Sequence, residues 1–307
     1  MKNLLWIQGL SCNGNTQSLL NAENPYFYEL FQKVELLYHP SFSYRENLQT
    51  VLKRIDSDKL KVNFLVVEGA VTSDMKFHRT GNYTIAQILQ KLKDKVDYII
   101  AAGNCASFGN IPATLSCNPD VTGLQFRFTQ KGGLFPSDFK TKSGYPIINI
   151  PGCPMHPAWF TQTIIALLEG RKIVLDSFNR PKELFMYLSH DGCIRNEYFE
   201  WKVEGEEFGH KEGCLFYNLG CRGPMTHAPC NKILWNGISS KTRAGMPCIG
   251  CTEFDFPLRR NYFETKKNIG IPEEVPLGVT KRAYLTITGV AKTFKNERLN
   301  KKLEETD

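Results

Sequence analysis

The stretch Val96-Asp97-Tyr98-Ile99-Ile100-Ala101-Ala102-Gly103-Asn104-Cys105 decides the fold. An unbroken apolar run from Tyr98 to Ala102 reads as a strand buried on both faces, and a glycine and a cysteine follow directly past its end. Working outward, four more short runs of the same kind appear: Leu4 to Gln8, Val34 to Tyr38, Val62 to Val67 and Pro146 to Ile150. Between them lie helix-length stretches at about Thr16 to Ala22, Tyr44 to Ile55, Ile85 to Asp94 and, after Pro157, Ala158 to Gly170. Leu48, Val51, Leu52 and Ile55 repeat at the spacing of a core-facing helix stripe. Strands alternating with crossover helices predict an α/β fold with a doubly wound parallel sheet.

The chain has 307 residues, 42% of them apolar, enough for one large or two ordinary domains. The formal charge of +7 is spread along the sequence, which gives no support for nucleic-acid binding. No apolar run approaches the ~20 residues of a membrane span. The opening Met-Lys-Asn-Leu-Leu-Trp-Ile-Gln-Gly has no small-residue cleavage site and no twin arginine, so the expectation is a cytoplasmic protein, free or peripheral on the cytoplasmic membrane face. Ten cysteines in a reducing compartment point to metal or redox chemistry rather than to disulfides.

Cys12, Cys105 and Cys153 each fall just past the carboxyl end of a predicted strand. In an open parallel sheet those ends share one edge, and ligands bind at its crevice. Gly9, Gly14, Gly103, Gly109 and Gly152 flank them and let backbone N–H groups approach bound sulfur. Three thiolates at one crevice suit iron-sulfur chemistry or zinc. The plain alternative is three small buried side chains. Neither a dinucleotide nor a P-loop glycine motif occurs.

From about Pro181 the alternation stops, which sets domains at 1–180 and 181–292, followed by a charged tail at 293–307. His190, Cys193, Cys214, Cys221, Cys230, Cys248 and Cys251 place six cysteines and a histidine within 62 residues. His190 with Cys193, and Cys248 with Cys251, stand three apart and can meet one centre from a single turn. Seven ligands divide into four plus three, the count of a 4Fe-4S and a 3Fe-4S cluster, whereas two structural zinc sites need eight. His210 or His227 as an eighth keeps zinc open.

These residues resemble the small, electron-transferring subunit of nickel-iron hydrogenases along nearly the whole chain. The likeness rests on Trp6-Ile7-Gln8-Gly9 leading to Cys12, Val67-Glu68-Gly69, Gly103-Asn104-Cys105-Ala106-Ser107-Phe108-Gly109 and Ile148-Asn149-Ile150-Pro151-Gly152-Cys153-Pro154. It continues through His190-Asp191-Gly192-Cys193, Gly220-Cys221-Arg222-Gly223-Pro224 and Pro247-Cys248-Ile249-Gly250-Cys251. The resemblance implies a flavodoxin-like domain, a smaller loop- and helix-rich iron-sulfur domain, and a large partner subunit that holds the nickel-iron site. It assigns Cys12, Cys105 and Cys153 to a proximal cluster, His190, Cys193, Cys214 and Cys221 to a distal 4Fe-4S cluster, and Cys230, Cys248 and Cys251 to a medial 3Fe-4S cluster. Electrons from hydrogen would then reach an external acceptor, a protein or a quinone-linked partner.

The first loop departs from the family's usual Cys-x-x-Cys. Asn15 holds the fourth proximal position, as in leaderless cytosolic uptake hydrogenases of the cyanobacterial type, which leaves a 4Fe-4S centre with an oxygen ligand, from Asn15 or water, or a 3Fe-4S centre. Cys117 is a leftover cysteine that offers a replacement thiolate. Gly14 and Asn110 stand where some oxygen-tolerant relatives carry extra cysteines, and Lys241 stands where the family usually has a proline beside the medial cluster. Glu68, at the same sheet edge, reads either as a group facing the partner or relaying protons, or as a solvated loop acid or cap. Exposed apolar surface is expected around the proximal loops. The competing functions are a hydrogen sensor, a subunit of a related deazaflavin-reducing or complex I type assembly, and a zinc-stapled structural derivative.

Overall fold

A computed structural model describes residues 1–294 except 44, 45, 75, 77, 78, 81, 82, 117 and 259–261. Cys117 therefore lies outside the described residues, as does the tail from 295 onward. The principal sheet has strands β1 (Lys2–Gln8), β2 (Val34–Tyr38), β3 (Val62–Glu68), β4 (Val96–Ala102) and β5 (Ile148–Ile150) in the order β2-β1-β3-β4-β5. Every pairing in it is parallel, so the α/β sheet expected from the sequence is the one observed. The chain steps from β1 out to β2 and then returns to β3 on the other side of β1. That reversal is the switch point at which such sheets bind ligands.

Register makes the edge. Gln8 pairs with Glu68, Glu68 with Ala102 and Ala102 with Ile150, so four strands stop level with one another. The loops carrying Cys12, Cys105 and Cys153 all leave from that line.

Helices α1 (Gly14–Leu20), α2 (Phe27–Lys33), α3 (Leu48–Asp56), α4 (Ile85–Leu92), α5 (Gly103–Phe108), α6 (Asn110–Leu115) and α7 (Pro157–Leu168) complete this part. The strand period of two sends Leu5, Ile7, Leu65, Val67, Ile99 and Ala101 to one face, where Leu48, Val51, Leu52 and Ile55 of α3 and Ile88, Leu89 and Leu92 of α4 cover them. On the other face Trp6 meets Phe160 of α7 with ring centroids 5.3 Å apart. Each such side chain taken from water contributes about 1.5 to 3 kcal/mol. Helix α3 starts where Asn47 Oδ1 accepts the Thr50 N–H at 2.9 Å, and α4 starts on a reciprocal Thr84 and Gln87 box.

Contacts divide the chain into two units, Met1–Leu184 with Thr252–Leu258, and Phe185–Cys251 with Arg259–Asp307. Thr252–Leu258 belongs with the first unit, apart from the residues on either side of it. The reason is local: Glu253 pairs with Arg180 at 3.6 Å, its carbonyl accepts from Asn104 Nδ2 at 3.1 Å, and Phe254 stacks on Phe178 at 4.6 Å. Among its described residues the second unit has α8 (Asn196–Glu200), a 3-10 turn at Gly223–Met225, a short antiparallel pair of Lys267–Asn268 with Ile271–Pro272, and α9 (Lys281–Thr293). Its core gathers Tyr198, Val203, Leu215, Phe216, Tyr217 and Tyr284 around Cys214 and Cys221. Among the described residues no helix is long and apolar enough to cross a membrane.

Candidate functional site

In the first unit, Cys12 is exposed and Cys105 and Cys153 are half-buried at the sheet edge. Burial pushes the Cys105 thiol up to about 12, with the neighbouring Cys153 and Cys12 pushing the same way and hydrogen bonds from the Asn110 side chain and Ile111 backbone pulling it down. Mutual electrostatic influence of three sulfurs from residues 12, 105 and 153 means that the fold brings them to one place. A thiol so placed binds metal only by losing its proton, so ligation here releases protons.

Backbone bonds lock these loops to each other. Asn104 N–H donates to Gly152 O at 2.9 Å, joining the Cys105 and Cys153 loops. Two side chains one helical turn apart on α1 hold Met155: Asn15 Oδ1 accepts its N–H at 2.8 Å, and Ser18 Oγ donates to its carbonyl at 2.6 Å. The Asn15 Nδ2 donates to Glu68 Oε1 at 3.4 Å, so its amide faces inward to Met155 and Glu68. Gly103, at φ +83°, lies so close beneath it that a Cβ there would stand 2.4 Å from both terminal atoms of Asn15.

Glu68 lies below this loop and is fully buried. Its Oε1 accepts from Asn15 N at 3.0 Å, Asn15 Nδ2 at 3.4 Å and Thr16 N at 3.4 Å. Its Oε2 accepts from Thr16 Oγ1 at 2.5 Å, Gln8 Nε2 at 3.0 Å and Trp6 Nε1 at 3.3 Å. A buried carboxylate is tolerated when its lone pairs are met in this way. Glu68 is therefore neither a solvated loop acid nor a surface group; it fixes the first turn of α1. Behind it, His39 is also fully buried. Ser41 N–H donates to His39 Nδ1 at 3.0 Å, which leaves the proton on Nε2, 3.2 Å from Thr16 Oγ1. Burial lowers the His39 pKa to about 4, with Glu68 pulling it upward.

In the second unit, His190, Cys193, Cys214 and Cys221 line one recess, together with Arg195 and Thr242 among others. Burial lowers the His190 pKa, Asp191 opposing, and keeps the imidazole neutral as a ligand must be. Phe199 packs edge-on against that ring at 4.5 Å. Burial pushes Cys214 up to about 12 and Cys221 well above the ordinary thiol range. Cys230 is raised by burial and by Cys251 and Cys248, which brings the remaining three cysteines together, and Lys241 works in the opposite sense on it. The two groups touch: Cys248 N–H donates to Cys221 Sγ at 3.3 Å, and Arg222 N–H donates to Cys248 O at 2.8 Å. Hydroxyls of Thr226 and Ser189 also reach Cys248.

Among the described residues no three His, Cys, Asp or Glu side chains close around a single ion. On an iron-sulfur cluster each ligand binds its own iron, so a ring of soft donors framing a recess is the fitting arrangement. The residues present thus fit iron-sulfur clusters in both units. Sequence reading missed Thr16, Ser18, His39 and Arg195, none of which carries a motif or a metal-ligand spacing.

The family profile for the C-terminal part of the NiFe/NiFeSe hydrogenase small subunit matches residues 185–264, and the profile for the 20 Kd subunit of NADH ubiquinone oxidoreductase matches residues 12–167. The F420 non-reducing hydrogenase II small subunit of Methanosarcina mazei is 32% identical over 285 residues, covering 83% of this chain and 73% of that one. The periplasmic [NiFeSe] hydrogenase small subunit of Desulfomicrobium baculatum is 32% identical over 277 residues, with coverage of 83% and 84%. Among solved structures, the [NiFeSe] hydrogenase of Desulfovibrio vulgaris Hildenborough superposes with a TM-score of 0.74 at 31% identity, covering 86% of this chain and 97% of that one. The actinobacterial-type NiFe-hydrogenase of Ralstonia eutropha H16 gives a TM-score of 0.76 at 26% identity, covering 96% and 92%.

Proposed function

From the premise that this chain belongs to the small-subunit family of nickel-iron hydrogenases, we propose that it is the electron relay of an uptake hydrogenase, carrying electrons from hydrogen oxidised in a large partner subunit to an external acceptor. Cys12, Cys105 and Cys153 would hold the proximal cluster, 4Fe-4S or 3Fe-4S. Cys230, Cys248 and Cys251 would hold a medial 3Fe-4S cluster, and His190, Cys193, Cys214 and Cys221 a distal 4Fe-4S cluster. When bound, each such cluster takes up and gives back one electron at a time.

The observation that carries this reading is the bond from Cys248 N–H to Cys221 Sγ, because one residue then serves the three-ligand set and touches the four-ligand set. Two soft donor sets in direct contact make a through-bond route between redox centres; independent structural metal sites have no need of one. The protein's own contribution is to exclude water, with Cys214 and Cys221 only 6% and 7% exposed, and to fix sulfur positions through N–H and O–H donors that tune the potential.

The large subunit would cover the sheet edge at Cys12, where Leu20 of α1 and Ile111 and Leu115 of α6 are exposed at 49%, 38% and 74%. Asn15, with its oxygen on Met155 N–H, enters the proposal as the strut of the proximal loop, beside three cysteine ligands. The acceptor would be a protein or a quinone-linked partner, and the complex would work in the cytoplasm, recovered in the cytoplasmic fraction and not released by periplasmic shock.

Iron, acid-labile sulfide and zinc per chain in the anaerobically purified complex test the reading. About 10 to 11 iron atoms with equivalent sulfide are expected, from about 3 or 4 proximal, 3 medial and 4 distal. Zinc without labile sulfide overturns it. Hydrogen-dependent dye reduction at high turnover is the expected activity; a hydrogen response without turnover would make the chain a sensor.

A further inference from the structure

Among the residues lining the distal recess stands a buried cation. Arg195 is 2% exposed and borders the same recess as His190, Cys193, Cys214 and Cys221. Its Nε donates to Thr242 O at 2.8 Å, and its Nη1 donates to Glu212 O at 2.8 Å and Gly213 O at 2.7 Å. Its Nη2 donates to His210 O. All four acceptors are neutral carbonyls. Burial lowers its pKa, and the groups that oppose this are Cys193, Cys214 and Cys221, which carry negative charge once they are ligands, and then Glu212.

Burying a guanidinium without a carboxylate partner is costly, and a fold retains one where another anion compensates it. Guanidinium also stays protonated under all working conditions, so its charge is permanent. Three thiolates and a neutral imidazole leave a ligated cluster anionic, and reduction adds one more negative charge. A fixed cation at the wall of the recess therefore favours the reduced form over the oxidised form, and in a water-poor interior it does so strongly.

We propose that Arg195 is the resident counter-cation of the distal cluster and raises that cluster's reduction potential. The inference rests on the cluster assignment made above. The four carbonyl contacts give the residue its second property, a guanidinium that cannot swing away when the cluster changes charge.

The test is an EPR-monitored redox titration of the distal cluster in the intact complex, with Arg195→Gln, Arg195→Lys and the unsubstituted chain side by side. Arg195→Gln removes the charge and is expected to raise the oxidised-to-reduced ratio at the original midpoint at least about tenfold, which is about 59 mV for one electron. Arg195→Lys keeps the charge with fewer carbonyl contacts and is expected to stay within about threefold. An unmoved Arg195→Gln, or a Lys variant displaced as far as the Gln variant, overturns the proposal. If Arg195→Gln does not assemble, the Lys variant decides by the same limits. In the unsubstituted complex the midpoint is expected to hold from about 0.05 to about 1 M salt, because buried charges are little screened, and a steep salt dependence overturns the proposal as well. A native complex with no distal iron-sulfur signal at all fails the cluster assignment itself, an outcome distinct from a signal whose potential ignores Arg195.

Discussion

Glu68→Gln isolates the charge of the proximal loop's support from its shape. The side chains are nearly isosteric, but glutamine presents an NH2 where the carboxylate presents a second acceptor. Placed at Oε1, that NH2 would orphan the Asn15 and Thr16 backbone donors; placed at Oε2, it faces Trp6 Nε1, Gln8 Nε2 and the Thr16 hydroxyl. The second orientation is cheaper, because the hydroxyl can turn and accept. Three charge-assisted bonds of about 1.5 to 3 kcal/mol each are then lost and one neutral bond of about 1 kcal/mol is recovered, a net cost of at least about 3 kcal/mol. At about 1.4 kcal/mol per decade, the equilibrium for local opening of the Cys12 loop shifts about 100-fold. The assay is anaerobic loss of iron to a chelator, followed cluster by cluster by EPR. Proximal iron should leave about 100-fold faster in Glu68→Gln while the medial and distal signals decay at the native rate. Proximal loss within about threefold of native would refute the reasoning.

Two further predictions concern the same network. Asn15→Asp replaces the amide donor 3.4 Å from Glu68 Oε1 by a second buried carboxylate, so the variant should lose the proximal iron, about 3 or 4 atoms per chain, with its EPR signal; full retention would mean that the Asn15 oxygen faces iron instead of Met155. His39, its pKa lowered from 6.5 to about 4 chiefly by burial, is neutral in the folded chain at neutral pH. The unfolded chain takes up that proton first as pH falls, so the contribution is complete above about 6.5 and is lost toward 4, about 3 kcal/mol in all. His39→Gln should flatten that limb of the acid-unfolding profile; an unchanged limb refutes the assignment.

The parallel sheet was legible because its central strand Val62–Glu68 is buried on both faces and reads as an apolar run, and even the half-buried edge strand Val34–Tyr38 is placed to the residue. Helix α5 was not, since it opens on Gly103, a poor helix former that the tertiary fold places at φ +83° against Asn15. Thr252–Leu258 carries no period, and long-range contacts such as the ion pair of Glu253, the Asn104 bond to its carbonyl and the stacking of Phe254 return it to the first unit. The cysteines and His190 stand out as candidate ligands in the sequence because thiol chemistry restricts what dense cysteines can do. What supports them does not: Glu68 draws its donors from residues 6, 8, 15 and 16, and Arg195 draws its acceptors from residues 210, 212, 213 and 242. Convergence of that kind leaves no spacing to read.

The two units solve the problem of holding sulfur in opposite ways, and this predicts how each responds to losing iron. In the first, the cysteine loops hang on five paired strands, and the main apolar core among the described residues contains no cysteine from the ligand set, Cys105 only packing against the small cluster of Ala70, Ala113 and Val121. In the second, Cys214 and Cys221 are themselves core residues, and the loops are tied by side chains to carbonyls. Asn231 shows the pattern, donating from Nδ2 to Ser189 O at 2.6 Å and accepting at Oδ1 from Thr242 Oγ1 at 2.9 Å and from Ser240. Where the binding site forms only in the folded chain, ligand binding energy is folding energy. Anaerobic removal of iron from the complex should therefore abolish amide-exchange protection across residues 185–251 while β1, β3 and β4 keep theirs. Equal retention in both units would show that the side-chain network suffices without iron, and equal loss would show that the sheet depends on its edge cysteines, which its register and core give it no reason to do.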